Sequence, residues 1–423
     1  MPLYVLNVTY PLVDPEIIRF CTDKRAVLVV EEGQPDFIEQ ALSRTLREAD
    51  LPTRLLGKRI LPMAGEYTVA VLEEGARGFF ATVGMAVDLT PRANAAAVLD
   101  EAPVRALATV VPARPPGFCT GCPERPIFSA MKLVEKELGQ HHIAADIGCH
   151  LFSILPPFNV GATTMGYGLG PASASALNGG EGKRVLSFIG DGGLWHNGLN
   201  SSIANAVYNK SDNVTVIVDN HYSSATGGQD LLSSRAVTKR RSTGHGIVKA
   251  VRGVGAGWVR QIDRTYDVAR MRATLREALT TAVRGPKVIV ASSECVLNRQ
   301  RREKPLLQAA AKAGKRVVRP KFGVDPDVCT GDHACMRLSG CPSLSLKHTG
   351  EKLRDDPVAM VDNSCVGCGH CGEVANAAIL CPSFYRADIV ENPSRIDRFL
   401  SRVRGSVIGA LQRRRAARHC MPA

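Results

Sequence analysis

At 423 residues, 45% hydrophobic and 22% charged, the chain has room for two or three domains with proper cores. No window approaches about eighteen uninterrupted apolar residues, which argues against a membrane span, and the opening MPLYVLNVTYPLV lacks a basic leader and a small-residue cleavage site, so a cytoplasmic location is expected. The net charge of +13 draws on KRR at 239–241, NRQRREK at 298–304 and QRRRAAR near the end; such runs suit nucleic acid, an acidic protein or simply a solvated basic face.

In chain order, residues 1–112 read as a small α/β unit. AVLVVEEG has the pattern of a buried strand and turn, and Phe37, Ile38, Ala41, Leu42, Thr45, Leu46 and Ala49 recur at helical period. PARPPGF, 112–118, breaks regular structure and marks a boundary. Over 113–300 strands alternate with helices: RVLSFIGDGG, a helix through SSIANAVYNK, NVTVIVDN, then PKVIVASSE. That order predicts a parallel sheet covered by helices, an α/β fold. A polar, basic linker at 301–323 leads into a cysteine-rich segment, 324–390, and a basic tail, 391–423, expected to be helical or disordered.

GDGG places Gly190, Asp191 and Gly192 at the end of one strand, and VTVIVDN places Asp219 and Asn220 at the end of the next. In a parallel sheet both ends open on one crevice. Glycines let backbone approach a phosphate, and a helix starting near Trp195 offers free N–H groups. Magnesium takes oxygen ligands, and Asp191 and Asn220 supply them. A lone GDG is often just a tight turn; the helix, strand and Asn that follow make the pattern specific. His196 either faces the reacting centre as an acid–base group or caps and packs its helix.

Thirteen cysteines with short spacings point to metal or redox chemistry rather than a disulfide framework. CTGC supplies Cys119 and Cys122, DIGC supplies Cys149 and SSEC supplies Cys295; these four thiols can complete one cluster, or Cys149 and Cys295 can be small buried hydrophobes. CVGCGHC is a full CxxCxxC, and CP dipeptides stand at Cys341 and Cys381. The crossed ligation of two-cluster ferredoxins assigns Cys341, Cys365, Cys368 and Cys371 to one cluster. Cys329, Cys335 and Cys381 go to the other, with Asp332 in the second position of CTGDHAC. There Asp332 is either a fourth ligand, giving an Asp-ligated or three-iron cluster, or the cap of a turn. Zinc competes with iron–sulfur for such CxxC pairs.

GDGG…DN followed by ATGGQ, with Gly227, Gly228 and Gln229, resembles the thiamine-diphosphate site of 2-oxoacid:ferredoxin oxidoreductases. That resemblance implies the backbone carbonyl of Tyr222 as a third magnesium ligand, and a 4Fe–4S cluster beside the thiamine in addition to the two of the ferredoxin-like segment. With CTGCPERP, DIGC, GDGGLWHNG and CVGCGHCGEVANAAILCPSFYRAD, nearly the whole chain looks like an indolepyruvate:ferredoxin oxidoreductase. The family's chemistry would be oxidative decarboxylation of aryl pyruvates to acyl-coenzyme A, with ferredoxin as electron acceptor. The resemblance also implies a connecting domain at the start, present only in its latter part, and an oligomer. A partner chain or further segment would supply the pyrimidine-binding domain and a gamma-type domain, with no nucleic acid and no membrane involved. Two other classes of function compete: an electron carrier that has lost turnover, and a basic zinc protein that binds nucleic acid.

Overall fold

The computed structural model describes residues 2–87, 110, 116–177, 182–234, 245–350, 354 and 356–419. The basic run at 239–241, most of PARPPGF and the last four residues of the tail lie outside them. The chain divides into two units, Met1–Arg114 and Pro115–Ala423.

In the first unit, α1 (Asp14–Cys21), β1 (Ala26–Leu28), α2 (Phe37–Glu48), β2 (Arg54–Leu56) and α3 (Val69–Thr82) follow one another. β1 pairs with β2 in parallel, Ala26 opposite Arg54. Leu42, Thr45 and Leu46 form the buried face of α2, and Leu42 and Leu46 pack with Ile17 and Cys21 of α1 and with Val29.

The second unit is built on a six-stranded parallel sheet in the order β4-β3-β5-β6-β8-β7. Its strands are β3 (Ile143–Ala145), β4 (Thr163–Thr164), β5 (Leu186–Gly190), β6 (Val214–Asp219), β7 (Trp258–Ile262) and β8 (Lys287–Ser292). β5, β6 and β8 are buried along almost their whole length. Their near-continuous apolar runs are what a sheet covered on both faces requires. One covering layer is α4 (Arg125–Leu138) with α5 (Val268–Thr280), whose Phe128, Met131, Met271 and Leu275 share a core with Phe188 and Val216. On the other, Ile189, Ile217 and Val288 pack with α6 (Ile247–Gly253) and with the helix that follows β5.

That helix begins at Asp191, four residues earlier than the sequence suggests, because Gly190 takes an extended cap conformation and the turn closes at once. It continues as a π-helix over Leu194–Ala204 and ends as α-helix at Asn205–Tyr208. Wide π turns of this kind occur often at functional sites.

Beyond β8, the stretch read as a linker is regular structure. Residues 301–312 complete α7 (Val296–Lys312), where the Ala- and Arg-rich sequence favours helix, and 317–323 belong to β9 (Val317–Val324). β9 pairs antiparallel with β12 (Phe384–Glu391), and β10 (Leu344–Lys347) with β11 (Val358–Val361). Two short helices connect one ribbon to the other, α8 (Ala334–Ser339) between β9 and β10 and α9 (His370–Ile379) between β11 and β12, and the two helices pack together. The tail forms a helix, Arg395–His419. No helix among the described residues is long and apolar enough to cross a membrane.

A charge cluster closes the amino end of the sheet. Lys287, fully buried, meets Asp212, whose Oδ2 also lies 3.2 Å from both Arg184 Nε and Arg284 Nη1. Removing one partner of such a pair strands a buried charge. Asp212→Ala is expected to lower stability by about 3 kcal/mol, with part recovered in Asp212→Ala/Lys287→Met. Equal denaturation midpoints for wild type and the single variant would remove this role.

Candidate functional site

β5 and β6 are neighbours, with Gly190 opposite Val218, so Asp191 and Asn220 leave the sheet side by side at its carboxyl end. Asp191 is 1% exposed. Its Oδ1 accepts from Gly192 N at 2.8 Å, while Oδ2 is buried without a partner. Burial, then the charge of Asp219, pushes its carboxyl well above the ordinary range. Asn220 Oδ1 accepts from Ser224 Oγ at 2.8 Å and from Tyr222 N at 3.3 Å, and its amide donates to Glu124 Oε1 at 2.9 Å. Glu124 Oε2 is likewise buried and unpartnered, and burial raises its carboxyl to about 7. Asp219 Oδ1 beside them lies 3.2 Å from His221 Nδ1, whereas Asp191 and Glu124 each keep a buried, unpartnered oxygen and, among the described residues, have no cation within ion-pair distance. A divalent cation would relieve that, since burying unpaired charge costs several kcal/mol. The oxygen set at hand, one carboxylate with an amide and a backbone carbonyl, has the hard character magnesium prefers.

Among the described residues no three His, Cys, Asp or Glu side chains stand in metal-ligand geometry. A site made of Asp191, Asn220 and the Tyr222 carbonyl does not need three such side chains. That carbonyl accepts from Ser224 Oγ at 3.3 Å. The loop behind it turns back on itself: Ser223 N donates to Gln229 O at 2.9 Å, and Gln229 Nε2 to Thr226 O at 2.7 Å. Gly227 and Gly228 both have positive φ, the reason a Gly-Gly pair stands there. Gln229 is exposed, its amide spent within its own loop.

Beside the carboxylates opens a cavity of about 560 Å3 lined by Tyr167, Gly192, Trp195, His196, Ser223 and Asp230 among others. A Cβ on Gly192 would run into Tyr167 Oη, so any side chain there would have to displace that hydroxyl. His196 is exposed, its ring 5.2 Å from that of Tyr167, so it faces the cavity and caps nothing. A smaller cavity, about 190 Å3, lies at the other end of the strands beside Ile143 and Leu186, away from these groups.

The thiols fall into three sets. Cys149 is raised above its usual value by burial, then by the charges of Glu124, Cys295 and Cys119, and Cys122 by burial, then by Glu124 with Cys149 contributing. These four residues, on three loops at the carboxyl end of the sheet, therefore sit within electrostatic reach of one another. In the second set, burial raises Cys371 and Cys341, Cys368 and Cys365 raise it further. In the third, burial and then the Cys329 and Cys381 thiols push Cys335 up to about 11. Thiols held protonated in packed groups are those a metal would convert to thiolates. Asp332 stands apart. Its carboxylate accepts from Ala334 N at 2.9 Å and pairs with Arg337 at 3.1 Å, and its side chain is 42% exposed. The described cysteines are free of disulfides.

Sequence reasoning passed over Glu124, Asp146 and Arg125. Two of them stand inside CTGCPERP, where a carboxylate and a cation beside two thiols were the available signal. Asp146, buried in DIGC, accepts from Gly168 N at 2.8 Å and from Ile147 N at 2.7 Å, fixing the loop behind Gly193. Burial raises its carboxyl from 3.8 to about 6. The folded chain therefore holds this proton more tightly than the unfolded one, so the contribution is full below about pH 3.8 and lost as pH rises through about 6. Asp146→Asn is expected to flatten the stability profile across that window, a difference of about 3 kcal/mol. Parallel profiles for the two proteins in denaturant titrations at stepped pH would exclude it.

Residues 139–291 match the family model described as thiamine pyrophosphate enzyme, C-terminal TPP binding domain. Indolepyruvate oxidoreductase subunit IorA of Pyrococcus abyssi is 29% identical over 389 residues, 87% of this chain and 54% of that protein. IorA of Archaeoglobus fulgidus is 30% identical over 385 residues, covering 90% and 56%. A solved 2-oxoglutarate:ferredoxin oxidoreductase from Magnetococcus marinus is 20% identical, with a TM-score of 0.38 over 43% of this chain and 65% of that one. The chain spans about half the length of the curated relatives it matches. The chain is similar to IorA over most of its own length, and its central parallel-sheet domain is similar to the C-terminal TPP-binding domain of thiamine pyrophosphate enzymes.

Proposed function

We propose that this chain binds magnesium and thiamine diphosphate and serves the oxidative decarboxylation of aryl pyruvates, indolepyruvate foremost. One 2-oxoacid and coenzyme A would give the aryl-acetyl-CoA, carbon dioxide and a proton, with two electrons leaving singly to two oxidised ferredoxins. The observation that carries this reading is the dry carboxylate crevice at the ends of β5 and β6, with its orphaned Asp191 oxygen. Bound thiamine diphosphate supplies the carbanion chemistry; the protein supplies position, charge and an electron exit. Asp191, Asn220 and the Tyr222 carbonyl hold the cation, and Gly190 and Gly192 with the helix that follows receive the diphosphate. Gly227, Gly228 and Gln229 shape the loop over it. His196 faces the cavity where the 2-oxoacid enters and is the group placed to move a proton there. A second polypeptide or segment carrying a pyrimidine-binding domain, with a gamma-type domain, completes the site in an oligomer. Assay of the chain with and without such a partner, using indolepyruvate, coenzyme A and a low-potential dye, tests this. Full turnover by the 423 residues alone would contradict the need for a partner, and no turnover in any combination would contradict the activity.

The three thiol sets are the sites for 4Fe–4S clusters: Cys119, Cys122, Cys149 and Cys295 near the thiamine, Cys341, Cys365, Cys368 and Cys371 next, and Cys329, Cys335 and Cys381 last. The paired ribbons β9/β12 and β10/β11 with α8 and α9 support a two-cluster ferredoxin-like domain. Asp332 completes the last site once Arg337 releases it; a carboxylate is a harder ligand than a thiolate, so that iron is the labile one. Ferricyanide is then expected to produce a three-iron paramagnetic resonance signal in wild type and none in Asp332→Cys. Identical spectra in both would leave Asp332 as the cap of α8.

A further inference from the structure

Arg125 opens α4 and is fully buried, yet among the described residues no carboxylate lies within ion-pair distance of it. Its Nη1 donates to Ser339 O at 3.1 Å, while Nε and Nη2 are buried without partners. Helix stability does not explain the residue, because a cation in the first turn opposes the helix dipole. A buried guanidinium needs an anion, and the thiols within its electrostatic reach include Cys341, Cys122, Cys368 and Cys119, with the Tyr266 hydroxyl beside them.

Those thiols come from two different sets, and the backbone brings the sets together at this point. The CTGC loop touches the CVGC loop directly, since a side chain on Gly121 would strike Val366. Tyr266 Oη donates to Gly121 O at 2.5 Å and braces the same contact. Ser129, one turn along α4, bonds Leu338 O at 2.6 Å and faces His370 Nε2 at 3.0 Å, pinning the helix to both α8 and α9.

We propose that Arg125 is the shared counter-cation of the Cys119/Cys122/Cys149/Cys295 and Cys341/Cys365/Cys368/Cys371 sites, a positioning residue that raises the reduction potential of both and marks where an electron crosses between them. The inference rests on the iron–sulfur reading of these cysteines. A fixed positive charge in a dry interior favours the more negative, reduced state of any centre beside it.

The test is a redox titration of the iron-loaded full chain, followed by paramagnetic resonance, in wild type, Arg125→Gln and Arg125→Lys. The glutamine variant is expected to shift the reduction equilibrium of both centres at least about tenfold toward the oxidised form, which is about 59 mV for one electron. The lysine variant, which keeps the charge, is expected to stay within about threefold of wild type. Loss of iron in the glutamine variant with retention in the lysine variant supports the same conclusion. Full iron with unchanged potentials in both variants overturns it, and so does iron loss in both, which would make the role one of shape. Wild-type chain that takes up no iron would overturn the cluster reading itself, a separate and recognisable failure.

Discussion

Asp191→Ala is expected to bind thiamine diphosphate with magnesium at least about a hundredfold more weakly than wild type. Residues one shell further out are already worth about ten- to a hundredfold in metal affinity, and Asp191 is a direct ligand in the proposed site. The variant separates binding from folding, because the unliganded chain carries this carboxyl buried, with one oxygen unpartnered and its proton held well above the ordinary range. Deleting it removes a buried carboxyl whose second oxygen nothing among the described residues satisfies. The thermal midpoint of the unliganded variant should therefore equal or exceed that of wild type. Calorimetric titration with the cofactor, beside a melting curve, reads both; unchanged affinity would end the assignment, and a collapsed fold would show that Asp191 is structural.

Cys122→Ser and Cys368→Ser are each expected to cost the loaded chain about four irons of about twelve, one cluster's worth. Cys21→Ser should cost none, since Cys21 packs with Ile17, Leu42 and Leu46 in the first unit and meets no other thiol among the described residues. Iron and acid-labile sulfide counts decide. Equal loss from all three variants would point to a general folding defect, and zinc in place of iron would revive the zinc reading.

The strands were legible because their runs are unambiguous: VLSFIG, VTVIVD and KVIVAS are apolar along their length, as a sheet covered on both sides demands. Asp191 and Asn220 were legible for the same reason, as the first polar groups past two adjacent strand ends. The helix start was not, since GDGG reads locally as a turn, whereas Gly190 takes an extended cap conformation and the helix begins at once with Asp191. The density of charge over 301–323 reads as a linker, whereas these residues run through α7 and β9; β9 finds its partner about sixty residues away in β12, which no local pattern announces. Glu124 and Arg125 hid in plain view, as their meaning depends on Asn220, Cys341 and Cys368, all distant in sequence. Asp332 was noticed from spacing alone, and only the structure sets Arg337 against it.

In the proposed site a divalent cation and a diphosphate meet at the carboxyl ends of β5 and β6. Anomalous scattering from crystals grown with thiamine diphosphate and manganese in place of magnesium measures it most directly. A manganese peak bridging Asp191, Asn220 and the diphosphate, with thiamine density leading toward Tyr167 and His196, is the predicted result. A peak elsewhere, or cofactor density in the smaller cavity beside Ile143 and Leu186, would contradict it.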